Sequence, residues 1–96
     1  MRYFHRSSVS PDVALSEADQ FFGGSLTQSS SEPRARVFSG VIGKITVSVA
    51  MEGVHYTLIT IETDQVAESE ADKLAKRFLS VVHTRAEPDH ELRGAY

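Results

Sequence analysis

Four histidines, His5, His55, His83 and His90, are the side chains of this chain best placed by type for proton transfer or metal ligation near neutral pH. Metal ligands must converge, and on a helix convergence reads as two His four residues apart. No pair here has that spacing, and Pro88 separates His83 from His90. His5 and His55 converge only if the first strand pairs near a hairpin tip. Glu62 and Asp64 lie two apart at a strand end and can share a face. Glycosidase chemistry needs two carboxylates held across a cleft, whereas carboxylates between a strand end and a helix start ordinarily cap and solvate. No serine lies in G-x-S-x-G, and chain order alone suggests no Ser-His-Asp set. Gly40-Val41-Ile42-Gly43-Lys44 resembles a phosphate loop only superficially. Its spacing is wrong, Ile45 follows the lysine, and the segment leads into a strand, without the free N–H groups of a helix start. No catalytic residue, metal ligand or cofactor is assigned.

Composition removes further classes. The chain has 96 residues and no cysteine, which excludes disulfides, thiolate nucleophiles, iron–sulfur clusters and cysteine-based zinc sites. Small secreted domains often rely on disulfides, so the cytoplasm is the expected compartment. Thirteen acidic residues outnumber ten basic ones, for a net charge of -3. Counterion release on nucleic acid needs concentrated Lys and Arg. Arg34 with Arg36, and Lys73 with Lys76 and Arg77, read as solvated faces, so no nucleic acid is expected. The opening MRYFHRSSVS has no apolar signal-peptide core, and no apolar run reaches membrane-spanning length, so no membrane is expected.

The elements that must position these residues follow from periodicity. Arg2 to Val9 alternates as a strand. Ser10-Pro11-Asp12 is a helix start, and Ala14, Leu15, Ala18, Phe21 and Phe22 recur at helical spacing before Gly23-Gly24, whose left-handed tolerance ends the helix. The predicted helix is Pro11 to Phe22. Ser25 to Pro33, SLTQSSSEP, has no periodicity and reads as a flexible loop. Strands follow at Ala35–Ser39, Lys44–Met51 and Val54–Thr63. Ser69-Glu70-Ala71-Asp72 resembles a capping box. Behind it Ala71, Leu74, Ala75, Phe78, Val81 and Val82 form an apolar stripe, opposite Asp72, Lys73, Lys76 and Arg77.

The order β-α-β-β-β-α predicts one α+β domain over residues 1–84. It is a two-layer sandwich, an antiparallel sheet with helices on one face, and residues 85–96 form a polar tail. A two-residue loop at Glu52-Gly53 sets Met51 against Val54, Val49 against Tyr56 and Val47 against Leu58. The core face is then Ile45, Val47, Val49, Met51, Val54, Tyr56 and Leu58. A three-residue loop has better turn chemistry, because Glu suits positive φ poorly, but it segregates polarity less well. In the two-residue register Ile59 and Ile61 stand on the uncovered face with His55 and Thr57, as an interface patch for a second copy or another protein.

The layout, with Ser10-Pro11 opening the first helix and Leu74, Phe78 and Val82 on the closing one, resembles the helix-grip proteins of the START and plant-allergen type. That resemblance implies a ligand pocket between sheet and helices, although this chain is several strands shorter. Tyr56, Phe78, Phe21 and Phe38 are its expected lining. Three functions follow. The first is a non-catalytic binding or protein-interaction module, as a homodimer or with another protein. The second is a small-ligand carrier. The third is a small enzyme using His55 or His5.

Overall fold

Ser10 sets the point at which the chain turns from strand to helix. Its hydroxyl accepts the Val13 N–H at 3.2 Å, with Pro11 in the first turn and Asp12 at the positive end. In the computed structural model, which describes residues 1–86, the elements are β1 (Arg2–Ser7), α1 (Pro11–Gly23), β2 (Thr27–Glu32), β3 (Ala35–Gly40), β4 (Gly43–Glu52), β5 (Tyr56–Thr63) and α2 (Glu70–Ala86). The sheet is antiparallel throughout, in the order β1-β5-β4-β3-β2. α1 lies on β3 and β4, α2 lies on β1 and β5, and the two helices touch each other on one face. The α+β class and the order β-α-β-β-β-α are those read from the sequence, with one further strand inserted after the first helix. α2 runs two residues into the expected tail, and residues 87–96 of that tail lie outside the described residues. Gly24 ends α1 at φ -75°, so the left-handed cap expected there does not form.

The inserted strand is the serine-rich segment. Thr27–Glu32 pairs with β3, from Thr27 opposite Ser39 to Glu32 opposite Ala35, with an irregularity at Ser29. Every residue of β2 is exposed. A strand that buries neither face carries no apolar alternation, which is why periodicity reads it as loop. Its backbone pairs, helped by the Ser29 hydroxyl donating to the Val37 carbonyl at 3.3 Å, hold it instead.

The β4–β5 hairpin departs from the two-residue register. Glu52 pairs with Tyr56, so the loop is Gly53-Val54-His55, and Val49 faces Ile59 while Val47 faces Ile61. Gly53 carries the positive φ, at 68°, which spares Glu52 from it. The change reverses the parity of β5. Ile59 and Ile61 are fully buried under the helices and Thr57 nearly so, while Tyr56 and Leu58 turn to the other side. Met51 and Val54, also expected in the core, are exposed at the hairpin end. The β4 half of the expected core, Ile45, Val47 and Val49, is buried as read.

Aromatic packing fills the space between the layers. Phe22 lies 5.2 Å from Phe38 and 5.0 Å from Phe78 between ring centroids, and Phe21 lies 5.7 Å from Phe78. Phe22, Phe38 and Phe78 are inaccessible to water. Burying one such side chain contributes about 2–3 kcal/mol, so this cluster is a principal tie between α1, α2 and β3.

Candidate functional site

The helix-facing side of β1 carries Tyr3, His5 and Ser7, and each meets a polar partner. Tyr3 donates its hydroxyl to Asp72 Oδ1. Asp72 Oδ2 accepts the Glu68 N–H at 3.0 Å and lies 3.3 Å from Lys76 Nζ, which sits 5.5 Å from the centre of the Tyr3 ring. Asp72 is fully buried, not on the solvated side of α2 where the sequence stripe puts it. The capping box forms in part. The Asp72 N–H bonds Ser69 Oγ at 3.2 Å, and the carboxylate reaches back to Glu68 instead of Ser69. Burial alone pushes the Asp72 carboxyl up. The bonds from Tyr3, the Glu68 N–H and Lys76 outweigh it and hold the group below the usual carboxylate range. The same bond, with burial, raises the Tyr3 phenol. This cluster ties the edge strand to the start of α2, and every polar atom in it has a partner inside the fold.

His5 meets His83 of α2 edge-on, with ring centroids 6.0 Å apart. Burial, then the neighbouring His83, lowers the His5 imidazole below its ordinary value. His55 is exposed on the hairpin loop, whereas His5 stands opposite Ile59 within the sheet, and His90 lies outside the described residues. Among the described residues no three His, Asp or Glu side chains are grouped as metal ligands.

Glu62 and Asp64 do border one cleft, an open one of about 260 Å³ lined with Lys44, Thr46 and Thr63. Both carboxylates are engaged there. Glu62 pairs with Arg2 at 3.1 Å, and Asp64 Oδ1 accepts the Lys44 N–H at 2.8 Å. That backbone bond, followed by one from Gln65, holds the Asp64 carboxyl below its usual value. Asp64 thus serves as the stop of β5, pinned to the start of β4.

The sheet side away from the helices is a different kind of surface. Alternation in RYFHRS puts Arg2, Phe4 and Arg6 there. Beside them stand Glu62, Thr60 and Leu58 of β5, then Thr46, Ser48 and Ala50 of β4. Phe4 is 61% exposed and Tyr56 49%, and no described element covers either. Arg2–Glu62 and Arg6–Glu52 ion pairs frame the apolar centre. β1 thus forms a ridge of long side chains, and the outer row of β4 forms a furrow of short ones.

Of the expected interface residues, only His55 is exposed, at the edge of this surface; Ile59, Ile61 and Thr57 are in the core. Thr57 donates its hydroxyl to the Val9 carbonyl at 2.7 Å and fixes the β1–α1 connection. Of the expected pocket residues, Phe21, Phe38 and Phe78 come together in the aromatic cluster, while Tyr56 stands on the other side of the sheet. Periodicity marks none of Phe4, Arg2 and Arg6 as a surface of interest, and it puts Leu58 in the core. The alternation of β1 was the available signal, masked by Tyr3 and Phe4 being adjacent and both aromatic. No helix among the described residues is long and apolar enough to cross a membrane. Comparison with protein-family models, with curated proteins and with solved structures finds no match to this chain.

Proposed function

We propose that this chain is a non-catalytic protein-interaction module of the cytoplasm that works through the outer face of its sheet. The observation that carries this reading is that Phe4 and Tyr56, both substantially exposed, share with Leu58 and Ala50 a face that neither helix covers. Aromatic and arginine side chains dominate interface energetics, and lysine is depleted at interface centres. This face carries Phe4, Arg2 and Arg6 along its β1 edge and Tyr56 at the hairpin end of β5, and its one lysine, Lys44, stands at the far end of β4. Two of the carboxylates are spent on the fold: Asp72 is buried and satisfied, and Asp64 holds a backbone N–H. The cysteine-free composition supports a cytoplasmic setting.

The carrier reading has less behind it. The rings expected to line its pocket pack against one another at van der Waals range, and the cleft beside Glu62 is lined by polar and charged groups. Ligand pockets are ordinarily apolar with a few polar groups.

Photo-cross-linking in intact cells tests the interaction reading. A photoreactive residue replacing Phe4 is expected to form a discrete adduct, one replacing Val41 on the opposite hairpin turn is not, and Ala50→Arg is expected to abolish the first. No adduct from positions 4, 56 or 58 would overturn the reading.

A further inference from the structure

We infer that the occupant of this face is a second copy of the chain, packed sheet to sheet about a two-fold axis that runs along β5. This rests on the reading of the face as an interaction surface and names its partner. The relief of the face is what points to a copy of itself. In a rotation about β5, β1 of one protomer falls over β4 of the other. Arg2 then lies over the partner's Thr46, Phe4 over the partner's Ser48 and Arg6 over the partner's Ala50, from the shared rows of the sheet. Long side chains on β1 meet short ones on β4, twice over, and Leu58 of the two copies meets on the axis. Aligned sheets pack about 10 Å apart, close enough for a phenylalanine to reach the opposite backbone only where the facing residue is small.

Charge agrees with this arrangement, and size sets its strength. The face carries Arg2, Arg6 and Lys44 against Glu52, Glu62 and Asp64, a balance that suits neither a strongly acidic nor a strongly basic partner. The two-fold brings Arg2 beside the partner's Glu62, so both glutamates near the axis are flanked by arginines from both chains. In this arrangement three strands overlap, β1, β5 and β4, and at about 4.8 Å spacing they present roughly 350 Å² in projection. That is below the ~800 Å² per partner of an ordinary specific interface, so the dimer is expected to be a weak one.

Sedimentation equilibrium on the purified chain from about 1 µM to about 1 mM decides the matter, since that range spans interfaces of modest strength. The mass is expected to rise with concentration from 10.6 kDa toward twice that value. Phe4→Glu and Ala50→Arg are each expected to weaken association by about tenfold or more while leaving circular dichroism unchanged. Arg2→Glu is expected to weaken it, and adding Glu62→Arg to restore it. A protomer mass at every concentration overturns self-association, as does a dimer indifferent to both Phe4→Glu and Ala50→Arg. If the mass stays at the protomer value while the position-4 cross-linker still yields its adduct in cells, the self-pairing falls and the interaction face stands. If neither is seen, both fall.

Discussion

Asp72→Asn removes one charge from the interior and leaves the shape of the side chain intact. The carboxylate serves three donors: the Tyr3 hydroxyl, the Glu68 N–H and the Lys76 ammonium. An amide offers one acceptor oxygen; in the Oδ2 position it still faces the Glu68 N–H and Lys76, and its N–H group turns toward the Tyr3 hydroxyl. A hydrogen bond to a charged group contributes about 1.5–3 kcal/mol and a neutral one about half that; the substitution loses the bond from Tyr3 and takes the charge from those of Glu68 and Lys76. Lys76 and Tyr3 are both part-exposed and regain some of this from water, so the expected loss is about 3 kcal/mol. Urea unfolding measures it. With a slope of about 1.5 kcal/mol/M the midpoint falls by about 2 M. The dependence on pH gives an independent check. Asp72 has a folded pKa below its unfolded value, so its contribution is present above about pH 4 and is lost as pH falls through the folded pKa. Wild type therefore loses stability in that acid range faster than Asp72→Asn, and the two curves converge. A midpoint within about 0.3 M of wild type at neutral pH, or parallel curves in acid, would refute the account of Asp72 as the tie between β1 and α2.

Other consequences follow from the same geometry. Ile59→Ala is expected to cost about 2–5 kcal/mol in urea unfolding and Phe4→Ala under about 0.5, a contrast that the two-residue hairpin register would reduce or reverse. Gly43 has φ 129°, and a Cβ there would come within 2.7 Å of Asp64 Oδ1 and Gln65 Cγ, so Gly43→Ala should destabilise by about 1–3 kcal/mol, read as a lowered thermal midpoint. Gly53, at φ 68° in open space, should accept Asn at under about 1 kcal/mol; equal effects at both glycines would contradict this. Burial, then His83, lowers the His5 imidazole, so its folded pKa lies below the unfolded 6.5 or so. Stability should then fall as pH drops from about 6.5 toward the folded value, and His5→Gln should flatten that limb in a pH series of urea midpoints.

What was legible in the sequence depended on whether the signal was local. Ser10-Pro11 announces α1 because capping chemistry sits within three residues of the helix it starts. Ile45, Val47 and Val49 announce β4 because one face of the strand is buried from end to end. β5 alternates too, but YTLITIET has apolar residues in both registers, so only the hairpin could choose between them. The choice turned on one torsion, at Gly53, against an apparent segregation of polarity that favoured the alternative. Asp72 was placed on the solvated side of its helix because a charged residue there is the ordinary case. Its partner Tyr3 is 69 residues away, and no local pattern encodes that pairing.

The same limit explains the candidate face. The hairpin register decides which β5 residues stand beside Phe4. In the other register Phe4 would neighbour a row of isoleucines, a large apolar patch that invites aggregation. In the observed one it neighbours Thr60, with Leu58 and Glu62 on either side along β5, a surface with one apolar centre and charges around it. Burying the isoleucines under the helices supplies the core. It also leaves outside a row of small side chains shallow enough to receive the long ones of β1. The torsion at Gly53 thus couples two properties that are otherwise separate, the stability of the sandwich and the relief of its open face. A substitution that forced the two-residue loop would be expected to expose Ile59 and Ile61, bury Tyr56 and Leu58, and erase the furrow together with the core.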